Sequence, residues 1–394
     1  MKIAKTDIFL LNTPIGGNLF NPRLLWHRKQ SVLLRIADAD GFEGWGESWC
    51  FDSSADVLVR YLQTEILPDL KDRVFENPSD ICVEFWAQTS LTGRHGMMSA
   101  ALSAVDVALH DLISKRENQP LGETISKSLP RASVPVYASG GLYRTEDSLP
   151  RLHAEMSEYI TAGHDRVKVK FGALPFEEDM ARMHCVRDAI GPDAGLLVDA
   201  VYSLDRTRAE AWLPVWQDLK IEAVQAPFPV NDWDSMTWLN HECGMPVMVY
   251  EAESRYEIFR ALLERRAIGI LQFSPVAVGG TQAARRLIDL AESCAIPVSL
   301  QCSSTWLAES IALELARGHL QIAHVELHTL HRGLFNNVPD DETCPVNGHL
   351  LLHNRPGLGF APQLQMLNRM TTDLPDFQND FLTTNQQIAG RAVK

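Results

Sequence analysis

The sequence has no stretch of about 18 consecutive apolar residues, so no membrane-spanning helix is expected. The seven cysteines are scattered and never form a C-x-x-C pair. That removes the usual zinc and redox signatures and suits a reducing compartment. Basic residues are in deficit: 36 Lys and Arg against 50 Asp and Glu leave a formal charge of -14. Nucleic acid and anionic membranes bind basic patches, so neither is an expected partner. The opening segment MKIAKTDIFLLNTPIGG contains only a four-residue apolar run and lacks a signal-peptide core, which points to the cytoplasm. No low-complexity linker divides the chain. What is present is an ordinary globular composition, 45% apolar and 22% charged, over 394 residues. That length suffices for more than one domain.

Two textures follow one another. Residues 1–130 read as an α+β unit. SVLLRIADADGFEGWGESW predicts two strands around an Asp/Gly turn. Residues 56–70 read as helical, and MSAALSAVDVALHDLISK predicts a packed helix whose Asp106 and Asp111 are structural. After residue 133, short apolar runs recur, each followed by a helical stretch. One late position from each run gives Tyr137, Lys168, Asp199, Gln225, Glu251, Ser274, Gln301 and Glu326, spaced roughly 23 to 31 residues apart, the length of one βα unit. Eight such units predict an α/β fold, a (β/α)8 barrel over 131–330. Its cap is an α+β domain formed from residues 1–130 and the C-terminal segment, 331–394, which completes barrel and cap. Within that segment HLLLHNRPGLGFAP predicts a strand and a Pro/Gly turn returning to the N-terminal unit.

The segment DRVKVKFG places Lys168 and Lys170 two apart in a strand otherwise fit for burial. Residues two apart in a strand share a face. Neighbouring ammonium groups disfavour each other's charge, and a neutral lysine beside a metal-bound substrate can act as a general base. Lys168, Lys170, Asp199 and Glu251 all fall late in their strands, where a barrel carries its catalytic groups. The plain alternative is a buried ion cluster in which the lysines balance Asp199 and Glu251.

In order and spacing, GWGES (44–48), SAVDVALHDLISKRENQPL (103–121), VPVYASGG, VKVK, LLVDA, VAVGGTQ (276–282) and PGLG (356–359) resemble the enolase superfamily, in its mandelate racemase / muconate lactonizing branch. The resemblance covers essentially the whole chain. It implies abstraction of the proton α to a carboxylate of a small-molecule substrate, with Mg2+ stabilising the developing charge. It makes Lys170 the base and Lys168 its neighbouring cation. Asp199, the position of Gln225, and Glu251 become the metal ligands. Glu326 becomes the acid that hydrogen-bonds the reacting carboxylate, or else a carboxylate paired elsewhere. Even-numbered homo-oligomers are expected by the same analogy.

Three positions depart from that pattern. The second metal carboxylate is replaced by Gln225 in QAP, an uncharged oxygen donor that should weaken metal binding. Glu222, on the opposite strand face, cannot easily substitute. The His/Asp pair that racemases of this group carry on the seventh and sixth strands is replaced by Gln301 and Ser274, with Cys302 facing away. Among the histidines, His324, His328 and His95 read as structural or solvent-facing, and His27, in the cap loop, is the best outside candidate. Tyr143 and Arg144 could meet a substrate but read more simply as loop-surface residues. Three functions remain open: dehydration of a hydroxy or sugar acid; racemisation, epimerisation or cycloisomerisation; and a barrel that has lost catalysis and binds a small molecule.

Overall fold

The structure, a computed structural model, describes residues 1–50, 54–88, 95–126, 129–249, 253–334, 344–360, 362, 367, 371 and 372. The cap opens with three antiparallel strands, β1 (Ile3–Phe20), β2 (Leu25–Asp38) and β3 (Glu43–Ser48). The β2–β3 turn forms where the sequence places its Asp/Gly cluster. Asp38 accepts from the backbone N–H groups of Asp40 and Phe42, and Gly41 takes the left-handed conformation at φ 91°.

Two glycines in GWGES let this sheet close on the helix Met97–Arg116. A Cβ on Gly44 would stand 1.9 Å from the Ala108 carbonyl oxygen, and one on Gly46 2.0 Å from that of Ala104. That helix has the length and composition to cross a membrane, but here it is the buried core helix of the cap. Its two aspartates tie other segments to it, as expected of structural residues. Asp106 accepts from the backbone and hydroxyl of Thr281, and Asp111 from the N–H groups of Trp45 (2.9 Å) and Leu358 (2.8 Å).

The barrel strands are β4 (Ser133–Gly140), β6 (Arg166–Lys170), β7 (Gly195–Asp199), β8 (Ile221–Gln225), β9 (Val247–Val249), β10 (Ile270–Phe273), β11 (Val298–Leu300) and β12 (Ile322–His328). They lie parallel in that order, and β12 pairs with β4 to close the ring. Between β4 and β6, the short β5 (Tyr143–Arg144) leaves the barrel to pair with β1. Strand alternation sorts the side chains. Val167, Val169, Val198, Val224, Phe273, Leu300 and Val325 belong to the main hydrophobic core, while Tyr137, Leu197, Ala223 and Met248 form a separate small apolar cluster. Residues in phase with that small cluster face the barrel axis, and Lys168, Lys170, Asp199 and Gln225 are all in phase with it.

The C-terminal segment divides its contacts. Its strand β13 (His349–Leu351) pairs antiparallel with β4 of the barrel, not with the cap sheet. The Pro/Gly turn that follows does reach the cap: Gly357 exchanges backbone hydrogen bonds with Gln119 and Leu121, at 2.8 Å each.

Candidate active site

At the C-terminal end of the barrel, Lys168 and Lys170 both turn inward, as strand alternation requires. Lys170 pairs with Asp199, its register partner on β7. The other carboxylate oxygen of Asp199 accepts the Val201 N–H at 3.0 Å. Lys168, only 1% exposed, lies 2.6 Å from Glu326 Oε1 and donates to Gln225 Oε1 at 2.7 Å. Its ammonium also stands 5.4 Å from the Tyr137 ring centre. Each ammonium, buried Lys168 and half-buried Lys170, therefore has its own carboxylate, an arrangement close to the ion-cluster alternative, with Glu326 as the partner of Lys168.

Gln225 adjoins Asp199 in register on β8. Its carboxamide oxygen also accepts from Gln272 Nε2 at 3.2 Å. Lysine can only donate, so its contact fixes which end of the amide faces the axis. Glu326 accepts the Cys302 N–H at 3.0 Å. Burial alone would raise the Glu326 carboxyl, but the charge and hydrogen bond of Lys168 outweigh it and hold the group at about 2. Glu326 is therefore a carboxylate here, an acceptor and not a donor. Glu251 lies outside the described residues. Glu222 is at the other mouth of the barrel, ion-paired with Arg166 at 2.5 Å.

The cap closes over this mouth. Arg23 donates to the carbonyl oxygens of Val201 and Tyr202. Both of those residues are left-handed, with φ 46° and 58°, a strained conformation for a β-branched valine two residues after Asp199. Lys29, buried, donates to Ser303 O at 3.0 Å. Trp26 stacks on His331 with ring centres 5.7 Å apart, and His331 on His328 at 3.9 Å. His27 is exposed. The cap residues turned to the barrel are thus Trp26 and Lys29, not the histidine favoured from sequence.

His328 shares the inward face of Glu326 two residues earlier. It is fully buried, and burial together with the charges of Lys170, Lys168 and Lys29 pushes it down to about 3, so its imidazole is neutral. Strand alternation from Glu326 would have placed it in the site. His324, one step further down, accepts from Arg166 at 2.6 Å, and burial brings it to about 4. His95 packs beside Trp86 in the cap. Tyr143 is buried and donates to Asp179 at 2.6 Å, whereas Arg144 is exposed. Ser274 and Gln301 are buried, and the Cys302 thiol lies against Ala308 O at 3.7 Å.

Glu47, from GWGES, is a buried carboxylate that the sequence reading passed over. It accepts from the hydroxyls of Ser31, Ser304 and Thr305 and from the backbone of Thr305 and Ala308. It joins the cap to the β11 loop.

A family model for the N-terminal domain of mandelate racemase / muconate lactonizing enzyme matches residues 24–125, and one described as enolase C-terminal domain-like matches 151–366. The chain belongs to the mandelate racemase / muconate lactonizing enzyme branch of the enolase superfamily. It is 28% identical over 346 residues to the arabinonate dehydratase of Saccharolobus solfataricus, covering 85% of this chain and 89% of that one. It is 27% identical over 336 residues to the L-talarate/galactarate dehydratase of Salmonella typhimurium, covering 84% and 80%. A racemase from Streptomyces coelicolor solved with bound magnesium superposes with a TM-score of 0.84 at 20% identity, covering 94% of this chain and all of that one.

Among the described residues no group of three or more His, Cys, Asp and Glu side chains is assembled for a metal ion; the oxygen donors at the mouth are of the kind a hard divalent cation takes. Asp199 and Gln225 would offer it oxygens from adjacent strands, in place of their present contacts with Lys170 and Lys168. Of these two side chains one is a carboxylate and the other a carboxamide, a weaker donor for such an ion.

Proposed function

We propose that the chain is a lyase that removes the α-proton of a hydroxy or sugar acid and expels the β-hydroxyl as water. One observation carries this reading. Within a barrel of this family, two lysines turn to the axis at successive levels of β6, one on Asp199 and the other between Gln225 and Glu326. Asp199, Gln225 and Glu251 would hold Mg2+. When bound, the ion supplies positive charge to the substrate carboxylate as negative charge builds there.

The chain's own side chains do the rest. Lys170 sits at the outer level, where a substrate entering from the cap side meets it first. Its amine receives the α-proton once Asp199 is no longer its partner. Lys168 stays charged, pinned between Glu326 and Gln225, and presents a fixed cation to the developing oxyanion. Glu326 orients that cation. The α-C–H bond breaks toward Lys170, the β-C–O bond breaks, and the protonated lysine returns its proton to the departing hydroxyl on the same face. The product is a 2-keto-3-deoxy acid after tautomerisation. The relatives named as dehydratases of arabinonate and of talarate and galactarate support the substrate class.

The test is an NMR panel of aldonic and aldaric acids with Mg2+ in deuterated water. The reading predicts at least one acid converted to its keto product. Folded protein that converts none and exchanges no α-proton contradicts it.

A further inference from the structure

The charges in contact at the barrel mouth balance one another: Lys170 meets Asp199, and Lys168 meets Glu326 at 2.6 Å. Gln225 adds an oxygen but no charge. That oxygen accepts from Lys168 at 2.7 Å and from Gln272 Nε2 at 3.2 Å, so both of its lone pairs are engaged. Asp199 is equally committed. One of its oxygens meets Lys170, and the other accepts the Val201 N–H at 3.0 Å. Its side chain is fully buried, so Lys170 is what compensates its charge.

A carboxylate at position 225 would leave this cluster one negative charge in excess, which a cation from solution would have to balance. With the carboxamide there is no excess, and the chain's own lysines hold the oxygens that a metal needs. An ammonium and a divalent cation do not share a buried carboxylate oxygen. They repel, and burial screens that repulsion less than water does.

We infer that Lys170 is a built-in competitor for the metal: its ion pair with Asp199 locks the site against Mg2+, and the ion enters only by displacing it. The lock makes metal loading and release of the proposed base a single event. Until the ion takes its place on Asp199, Lys170 is held away from any substrate. This rests on the lyase reading for Asp199 as a metal ligand, and it is independent of which acid is turned over.

The experiment is calorimetric titration of Mg2+ alone into wild type, Lys170→Met and Lys170→Arg, with thermal midpoints recorded with and without about 10 mM Mg2+. Lys170→Met removes the competitor and leaves Asp199 uncompensated, so it should bind Mg2+ at least about tenfold more tightly than wild type. Lys170→Arg keeps a cation on the carboxylate and should stay within about threefold of wild type. Without Mg2+ the Met variant should melt below wild type. Mg2+ should raise its midpoint more than the wild type's, because there the ion replaces a missing partner instead of displacing one. A Met variant that folds only on addition of Mg2+ upholds the lock in its strongest form. A crystal structure grown with Mg2+ should show the Lys170 ammonium beyond about 4 Å from Asp199, outside ion-pair range. An intact pair beside a bound ion, a Met variant that binds Mg2+ no more tightly than wild type, or an Arg variant that tightens as much as the Met variant overturns the lock and leaves the lyase reading standing. If neither wild type nor Lys170→Met binds Mg2+, both are overturned.

Discussion

Lys168 donates to the carboxamide oxygen of Gln225 across 2.7 Å. The position that the family resemblance assigns to a metal carboxylate thus holds a neutral group already engaged by a buried cation. Gln225→Glu should restore the missing charge and tighten Mg2+ binding by about tenfold or more, roughly 1.4 kcal/mol. Calorimetric titration of wild type and variant checks this. Unchanged affinity would mean that residue 225 does not reach the ion.

Lys168 and Glu326 are each 1% exposed, so removing one charge strands the other. Glu326→Gln should cost about 3–5 kcal/mol of stability at neutral pH, read by urea denaturation. The Glu326 carboxyl is held at about 2, below its unfolded value. Its contribution is therefore complete above about pH 4.5 and is lost as pH falls toward 2. The variant should lose that part of the acid dependence. A loss below about 1 kcal/mol would show that the pair contributes little net stability.

Histidine sets an earlier acid limb. His328, faced by Lys29, Lys168, Lys170, Glu326 and the stacked His331, is pushed down to about 3. Protonation in the unfolded chain begins near pH 6.5, so stability is full above that value and declines as pH falls toward 3. At pH 5 the loss from one such imidazole is about 2 kcal/mol. His328→Phe keeps a ring against His331 and should flatten the limb between pH 6.5 and 5 in denaturation curves. An unchanged slope would place the effect elsewhere.

Much of this site was legible in the chain. The period-2 placement of Lys168 and Lys170 requires that they share a face, and the valines between and before them require that the other face be buried. Gln225 stood out because QAP broke an otherwise matching order of motifs. What escaped has physical causes. Trp26 and His27 are adjacent, and nothing in NPRLLWHRKQ says which faces the barrel until β2 is known to extend back to Leu25. Gln272 was overshadowed by Ser274, although alternation puts both on one face. Glu47 was treated as part of a turn motif, because its five hydrogen bonds come mostly from residues far along the chain.

Glu47 also yields a prediction. Its carboxylate accepts the Thr305 hydroxyl at 2.6 Å and the Ala308 N–H at 3.2 Å. Glu47→Gln replaces one acceptor oxygen with a donor facing other donors. It should destabilise the protein by about 2–3 kcal/mol and speed proteolysis of the cap. A melting midpoint within a degree of wild type would remove Glu47 from the cap–barrel joint.

The most direct measurement of the central claim is α-proton exchange in deuterated water, followed by NMR, for wild type and Lys170→Ala on an acid that the wild type turns over. Lys170 is predicted to be the proton acceptor, so exchange and conversion should both fall below detection in the variant while its far-UV circular dichroism matches wild type. Exchange persisting at a comparable rate in a folded Lys170→Ala protein would contradict the account.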